Sequence, residues 1–251
     1  MQKTKIEWVK NPDGSQGYSW NPIKGKCPAE CKLPDGRIYC YGHGLYNGRL
    51  KRIDPGEPRF DSTAFCKGAD ALERSKPRGV FICSTFDLFH PVTNSRVIED
   101  DDYKDTWRDY IFEIIKQYPR HRFYILTKFP QNIDRELPDN VWLGVSVTGD
   151  KDAWRLRYLE KTEACLKFVS IEPFLNYISD NTILSIAHSL NWMIIGRLTG
   201  HGREYDPERR DIERLFEVKE YAKYNQKKIP VFLKNNLSGI WPDELIQEMP
   251  G

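Results

Sequence analysis

The sequence lacks any apolar run long enough to cross a bilayer, and it has no segment with the features of a secretory signal peptide. These two absences argue against a membrane-spanning protein and against a secreted one. Internal repeats and low-complexity tracts are also missing. We therefore expect a soluble, cytoplasmic protein with no membrane partner.

The chain carries almost no net charge, because 38 basic side chains offset 36 acidic ones to leave +2. A field this weak does not demand a nucleic-acid partner, so such a partner would need a local basic patch. Three basic segments qualify, namely RHR at 120–122, GREYDPERR at 202–210 and KYNQKK at 223–228, although the acidic run EDDD at 99–102 would repel phosphate. A nucleic acid, a peptide and a small metabolite all stay open as substrate classes.

Cysteine is scarce, with six residues in 251, and half of them fall in one short segment, GKCPAECKLPDGRIYCYGHG. Such clustering suits a metal site in a reducing compartment better than a disulfide framework. The other three, Cys66, Cys83 and Cys165, stand alone in the sequence. We expect each of them to be a small buried residue or a spare thiol.

The clustered cysteines, Cys27, Cys31 and Cys40, supply three ligands where a closed metal site normally has four. Their spacing is C-x3-C-x8-C, but the second interval holds the turn signal PDG at 34–36. Residues 32–37 are therefore expected to loop out, which leaves a contracted CPAEC-IYC. Three thiolates leave one metal ion with an open position, where a substrate or cofactor can bind.

A zinc ion is the alternative to an iron–sulfur cluster at this place. His43, three residues after the third cysteine, is a candidate fourth ligand for a structural zinc. His43 is equally consistent with a loop residue or with a residue that contacts a ligand without being one. The spacing alone leaves both kinds of metal site open.

A chain of this length can bury a sizeable core, and we expect residues 1–251 to form a single domain with a cluster loop at 25–44.

Short apolar runs alternate with amphipathic segments from residue 79 onward, as in parallel strands that are buried on both faces. The predicted strands are 18–23, 79–84, 122–127, 141–147, 165–171, 191–196 and 229–234. The predicted helices are 107–118, 151–162, 176–190 and a helix from an N-cap at Asp206 towards Lys227.

These β/α steps predict an α/β fold, either a barrel or a doubly wound sheet. The cysteine loop after the first strand favours a partial (β/α) TIM-like barrel of about six to seven parallel strands. Polar residues follow the strands, and the carboxyl ends of parallel strands share one mouth. They are Ser84, Thr85, Asp87, Thr127, Lys128, Ser146, Glu172, Arg197, Lys234 and Asn235.

The contracted motif, with Tyr39 as the aromatic residue before the third cysteine, resembles the cluster-binding motif of radical S-adenosylmethionine (SAM) enzymes. Segments from Thr4 to Asn235 are similar, in order, to landmarks of one phage-associated radical SAM family of unassigned function, which is similar to spore photoproduct lyase. These segments are TKIEW, WNPIKGKC, FDLFH, ILTKFP, VWLGVSV, FVSIEPF and IPVFLKN.

The resemblance implies a partial barrel of radical SAM type in which Cys27, Cys31 and Cys40 hold a [4Fe–4S] cluster. The amino and carboxylate groups of SAM would chelate the fourth iron. Electron transfer from the cluster would split SAM into methionine and a 5′-deoxyadenosyl radical, which abstracts hydrogen from a substrate that the resemblance does not identify. The electron would come from a low-potential donor such as ferredoxin or flavodoxin.

The resemblance also implies roles for individual residues around SAM. Asp87 would bind the amino group, Lys128 would meet the carboxylate, and Ser146 would contact the ribose or the methionine part. Tyr39 and Tyr41 would lie along the adenine. One anion and one cation are what a zwitterionic amino acid needs, although a structural salt bridge between the aspartate and the lysine is the alternative.

Four more residues are assigned to the same cofactor site. Relatives often carry a serine just before the aspartate, where this chain has Phe86, so Ser84 or Thr85 would substitute for it. Glu172 and Arg197 would bind the cofactor, the substrate or each other.

Three functions therefore stay open. The favoured one is a radical SAM enzyme, with a nucleic acid among the candidate substrates. The second is a zinc-stabilised nucleic-acid-binding module without redox chemistry. The third is a hydrolytic β/α-barrel enzyme with Glu172 as acid or base, which is weakest because a second well-placed carboxylate is lacking.

Overall fold

The structure is a computed structural model that describes residues 1–29, 31–100, 103–200 and 203–251. Some predicted features extend beyond these ranges. Glu30 in the cluster loop, residues 101–102 in the acidic run and residue 202 in a basic segment lie outside the described residues. No helix within the described ranges is long and apolar enough to cross a membrane.

The chain divides into two compact units, and each is described by itself. Unit 1 consists of Met1–Lys5, Val9–Asn132 and Pro138–Val141, and unit 2 consists of Ile6–Trp8, Ile133–Leu137 and Trp142–Gly251. The fold is mixed α/β, with eight mostly parallel sheet strands in the described part of the chain, four in each unit. The single domain expected from the sequence stays a prediction.

Unit 1 contains the cysteine segment and the first parallel strands. Its elements are β1 (Gln2–Lys3), β2 (Tyr18–Trp20), β3 (Ile23–Lys24), α1 (Tyr41–Asn47), β4 (Arg59–Phe60), α2 (Ser62–Glu73), β5 (Gly79–Ile82), α3 (Val92–Ser95), β6 (Val97–Asp100), β7 (Tyr103–Thr106), α4 (Trp107–Gln117) and β8 (Arg122–Thr127). The strand order is β1-β2-β5-β8, in which β2, β5 and β8 are parallel and β1 is antiparallel to β2. Two short antiparallel pairs, β3 with β4 and β6 with β7, complete the unit.

The helix α4 illustrates how the sequence specifies these elements. Its N-cap Thr106 accepts a hydrogen bond from the backbone N–H of Asp109 at 3.2 Å, which satisfies a donor that the first helical turn leaves free. Ile111, Phe112 and Ile115 form a fully buried stripe at helical spacing. The predicted amphipathic helix is therefore confirmed.

Unit 2 repeats a strand followed by a helix. Its elements are β9 (Val141–Ser146), α5 (Trp154–Lys161), β10 (Leu166–Ile171), α6 (Asp180–Ser189), β11 (Trp192–Ile195), α7 (Arg209–Leu215), α8 (Glu217–Tyr224) and β12 (Val231–Leu233). The strands follow one another in the order β9-β10-β11-β12 and all pair in parallel. This alternation confirms the predicted β/α pattern, because a helix must return the chain before the next parallel strand can pair.

One face of the unit 2 sheet changes from aromatic to charged along its strands. Side chains alternate across a strand, so Phe168, Ser170 and Glu172 share this face. Phe168 packs against Trp8 and Trp192, with ring centroids 5.5 Å and 5.6 Å away, in an aromatic layer that is fully buried. The polar residues therefore begin where the aromatic core ends, at the carboxyl ends of the strands.

The strand predicted at 18–23 is interrupted. It ends at Trp20, and Ile23 begins β3, which pairs with β4 instead of continuing along β5. Pro22 lies between the two strands, and its nitrogen has no hydrogen to donate to a sheet ladder. The chain therefore leaves the sheet at the proline.

The helix predicted from Asp206 towards Lys227 is shorter and is broken. It begins at Arg209, and Phe216 separates α7 from α8. The backbone N–H of Phe216 bonds to the carbonyl of Glu213 three residues earlier, which is the tighter 3₁₀ pattern. Elements before residue 79 other than the first strand, such as α1 and α2, were not predicted.

Candidate functional site

The cysteine segment folds as a small hairpin that leads into α1. The backbone N–H of Tyr39 donates to the carbonyl of Cys31 at 2.9 Å, which closes the hairpin. At its tip Gly36 has φ of +87°, a left-handed conformation that only glycine adopts without strain. The predicted turn at 32–37 is confirmed. It returns the chain so that Cys40 lies beside Cys31.

The three thiols of this segment interact with one another. Cys31 donates a hydrogen bond to the sulfur of Cys40, and Cys27 interacts electrostatically with Cys31. Because it accepts that bond, together with bonds from the backbone N–H groups of His43 and Gly42, Cys40 has a pKa lowered to about 6. The same thiol–thiol bond, followed by burial, raises the pKa of Cys31.

Cys27 is the most buried of the three, with 4% of its surface exposed. Burial raises the pKa of its thiol to about 11, although the backbone N–H groups of Ala29 and Asp87 donate to the sulfur. Its carbonyl oxygen lies 2.6 Å from Nε2 of the buried His43. A carbonyl can only accept, so Nε2 carries the hydrogen and is not a metal ligand in this arrangement.

The carboxylate of Asp87 joins two loops of unit 1. Oδ1 accepts hydrogen bonds from the hydroxyl of Thr127 at 2.7 Å and from the backbone N–H of Phe89 at 3.0 Å. Oδ2 accepts from the backbone N–H of Lys128 at 2.7 Å. Asp87 is 9% exposed, so this carboxylate holds the loop after β5 against the end of β8. One lone pair of Oδ2 has no donor among these contacts.

Lys128 places its ammonium among anionic and thiol groups of the same unit. Burial opposes the charge, but the electrostatic attraction of Cys31, Tyr39, Asp87 and Cys40 outweighs it and raises the pKa of Lys128. The lysine is therefore positively charged across the physiological range. The structure thus brings together the cysteines, Asp87 and Lys128, which the sequence had placed at one site.

The remaining predicted residues of unit 1 lie around this centre. The hydroxyl of Ser84 donates to Oδ1 of Asn21 at 3.2 Å. The carbonyl oxygen of Thr85 faces α1 so closely that a Cβ on Gly42 would lie 2.7 Å from it, which makes glycine necessary there. Tyr39 is half-buried, whereas Tyr41 begins α1 with 73% of its surface exposed.

The donor set of the cysteine segment fits an iron–sulfur cluster. Within the described residues, no group of three or more His, Cys, Asp or Glu side chains is arranged around a single metal ion. An iron–sulfur cube is larger than one ion, and its protein ligands are thiolates whose potential is tuned by N–H groups directed at sulfur. Cys27, Cys31 and Cys40 provide three such thiols, and backbone N–H groups point at two of them.

Unit 2 carries its own cluster of charged residues at the ends of β10 and β12. Glu172 forms an ion pair with Lys234, and a second carboxylate, Glu7, lies 4.0 Å from the same ammonium. A Cβ on Gly196 would lie 2.9 Å from Cδ of Lys234 and 3.1 Å from Glu172. Glycine at this position therefore lets the charged pair close over the end of β11.

Arg197 and Ser146, the other predicted residues of unit 2, have different partners. Arg197 binds Asp206, with its Nη1 3.0 Å from Oδ1, and its Nε donates to the carbonyl of Asn236 at 2.6 Å. The suggestion that it pairs with Glu172 is therefore wrong. Ser146 is buried in β9, where its carbonyl accepts a hydrogen bond from Arg155 at 2.7 Å.

Comparison with known proteins assigns the chain to a family. A family model described as Protein of unknown function (DUF5131) matches residues 3–241. The chain belongs to the DUF5131 family. No curated protein and no solved structure matches it. Because the description of DUF5131 names no activity, the function of this chain has to be argued from its own residues.

The DUF5131 match includes site residues that sequence reasoning did not single out. Glu7 lies in the segment TKIEW, and its carboxylate is 4.0 Å from the ammonium of Lys234. Ser170 lies inside β10, and its fully buried hydroxyl has no hydrogen-bond partner in the part of the chain that the structure describes. A serine between the apolar residues Val169 and Ile171 was the one signal that could have identified it.

Proposed function

We propose that this chain is a radical SAM enzyme with a [4Fe–4S] cluster held by Cys27, Cys31 and Cys40. The observation that carries the proposal is the convergence of these three thiols, which a closed hairpin brings together across a long sequence interval. Zinc receives less support, because no group of three or more His, Cys, Asp or Glu side chains within the described residues is arranged around a single ion. When bound, the cluster supplies the electron that splits SAM.

The residues beside the thiols are suited to hold the amino acid end of SAM. Lys128 offers an ammonium that is attracted by two of the cysteines, and a SAM carboxylate would be a natural partner for it. Asp87 keeps an acceptor site on Oδ2, which an amino group can use without displacing the three donors already bound. The pair thus matches the opposite charges of a zwitterion.

Asp87 also has a positioning role in this proposal. Its hydrogen bond to the backbone of Lys128 fixes the point from which the lysine side chain extends. Preorganised charges are more effective than mobile ones because less ordering is required when the ligand binds.

The proposal also includes the finer fold assignment, which is a partial TIM-like barrel of radical SAM type. It includes an electron-donor protein as a partner.

The proposal is tested by purifying the protein without oxygen and measuring iron, sulfide and zinc. We expect a brown protein with about four irons and matching acid-labile sulfide. Dithionite and SAM should then yield 5′-deoxyadenosine. Changing Cys27, Cys31 or Cys40 to Ala should abolish both colour and product, whereas Cys165→Ala, at an exposed cysteine, is the matched control. A colourless protein with one zinc per chain would overturn the proposal.

A further inference from the structure

The turn that follows α1 exposes a run of basic residues. Arg49, Lys51 and Arg52 are all exposed, and within the described ranges no carboxylate forms an ion pair with any of them. Ile53 ends the run with 80% of its surface in solvent. We call these four residues the basic turn.

Neighbouring basic residues in unit 1 do have acidic partners. Arg59 binds Asp54 at 2.5 Å, and Arg37 binds Asp35 at 2.6 Å. The basic turn is therefore a local positive surface in a chain whose net charge is only +2. Unpaired like charges repel one another, so they are stabilised when an anionic surface approaches.

The basic turn is attached to the segment that carries the proposed cluster. α1 begins directly after Cys40, and the backbone N–H of Leu50 bonds to the carbonyl of Leu45 in the same helix. The N–H of Ile53 then bonds to the carbonyl of Leu50 at 2.9 Å. At 1.5 Å per helical residue the 7 residues of α1 span about 10 Å, and the turn begins directly after them.

We propose that the basic turn is the docking surface for an acidic, one-electron donor protein. This inference rests on the proposed radical SAM function. The basic turn would hold the reduced donor, which would give up one electron, and a cluster held by the three cysteines would take up that electron. No bond forms or breaks in this step, and no proton is required.

The composition of the basic turn favours a protein over a nucleic acid. A single-stranded nucleic acid is typically held by basic residues together with aromatic side chains on which bases stack. The basic turn instead presents an aliphatic residue, Ile53, beside its charges. An apolar contact surrounded by charged residues is typical of protein interfaces, and opposite charges accelerate the encounter of the partners.

The test is to measure the affinity of an acidic flavodoxin for the protein by calorimetry at low and high salt. The charge variant combines Arg49→Glu, Lys51→Glu and Arg52→Glu. We expect its affinity to fall about tenfold or more at low salt, with a smaller difference at high salt, because surface charge attraction is screened. Cluster-free protein with all three cysteines changed to Ala should bind flavodoxin as the wild type does.

The matched control reverses three exposed basic residues of unit 2, one just before α5 and two on it, as Lys151→Glu, Arg157→Glu and Lys161→Glu. It makes the same change in net charge but leaves the basic turn intact. We expect its affinity for flavodoxin to stay within about twofold of the wild type, because charge acts over roughly a Debye length. Equal losses in both triple variants would overturn the docking proposal.

A dithionite reaction separates this inference from the proposed function. Dithionite is small and needs no docking surface, so both triple variants should form 5′-deoxyadenosine with it as fast as the wild type. With reduced flavodoxin as the donor, only the basic-turn variant should be slow. Failure of wild-type protein with dithionite would overturn the proposed function, and the inference with it. The inference alone would be overturned if the basic-turn variant lost binding to a single-stranded oligonucleotide but kept its binding to flavodoxin. It would also be overturned if the wild type did not bind flavodoxin.

Discussion

The carboxylate of Asp87 accepts a hydrogen bond from the backbone N–H of Lys128 at 2.7 Å. The bond links the loop after β5 to the end of β8 within unit 1, and the hydroxyl of Thr127 strengthens the link at 2.7 Å. The backbone N–H of Lys128 thus occupies one acceptor site of the aspartate, and the ammonium of Lys128 is attracted by Cys31, Tyr39 and Cys40 as well as by Asp87. A salt bridge between the two side chains is therefore not needed to explain their proximity.

The first prediction concerns the stability of this link. Asp87→Ala removes the acceptor for three donors, namely the N–H groups of Phe89 and Lys128 and the hydroxyl of Thr127. Since a buried donor without an acceptor is unfavourable, we expect the free energy of unfolding to fall by about 2–4 kcal/mol. Urea unfolding followed by tryptophan fluorescence measures the change.

Thr127→Val is the control for Asp87→Ala. It removes one of the three donors and nearly preserves the side-chain volume, so it should lower the free energy of unfolding by only about 1 kcal/mol. If Asp87→Ala were no less stable than Thr127→Val, the carboxylate would not be holding the two loops together.

Local features of the site could be predicted from the sequence, whereas distant pairings could not. The hairpin at 32–37 depends on a turn whose residues are adjacent, and the polar residues after β5 and β8 depend on strand periodicity. Glu7, in contrast, contacts Asn235, which is 228 residues away in the chain. No pattern in one sequence specifies which strand end such a carboxylate will meet.

The second prediction concerns the reactivity of Cys40 in cluster-free protein. The hydrogen bond from Cys31, then the N–H groups of α1 and the charge of Lys128, lower the pKa of Cys40 to about 6. The thiolate fraction therefore rises as pH passes upward through about 6. Alkylation of Cys40 by iodoacetamide, measured by peptide mass spectrometry, should be half-maximal near that pH.

Two variants identify the cause of this reactivity. Cys31→Ala removes the donated hydrogen bond, and Lys128→Met removes the positive charge while keeping the length of the side chain. Both should move the half-maximal pH of Cys40 alkylation upward, with the larger shift for Cys31→Ala. Cys27, with its pKa raised to about 11, should stay unreactive at neutral pH. An unchanged Cys40 profile in both variants would contradict the thiol–thiol interaction.

The third prediction uses the same substitution in two helices of unit 1. Alanine is a better helix former than glycine by about 0.5–1 kcal/mol, and a Cβ on Gly44 of α1 would meet no atom within 4 Å. A Cβ on Gly68 of α2 would lie 2.1 Å from Nε1 of the buried Trp20. We expect Gly44→Ala to raise the melting temperature.

Gly68→Ala should have the opposite effect. The clash with Trp20 displaces an indole that donates a hydrogen bond to the carbonyl of Ala64 at 3.0 Å. Overpacking of this kind lowers the free energy of unfolding by about 1–3 kcal/mol. A higher melting temperature in both variants, measured by calorimetry, would show that helix propensity and not the contact with Trp20 decides the outcome.

The last prediction concerns the pair of Glu172 and Lys234 in unit 2. Their side chains are 25% and 14% exposed, whereas the side chains of Glu220 and Lys223 in α8, which also form an ion pair, are 66% and 68% exposed. Desolvation strengthens the attraction between charges and makes a charge without its partner unfavourable.

A double-mutant cycle with Glu172→Gln and Lys234→Met, measured by urea unfolding, should therefore give a coupling free energy of about 1–2 kcal/mol. The matching cycle with Glu220→Gln and Lys223→Met should give about 0–0.5 kcal/mol, because water screens that pair. Glu7 should keep part of the attraction for Lys234 in the Glu172→Gln variant, so the double variant with Glu7→Gln and Glu172→Gln should be less stable still. Equal coupling in the two cycles would mean that the polar end of the unit 2 sheet is solvated like an ordinary helix surface.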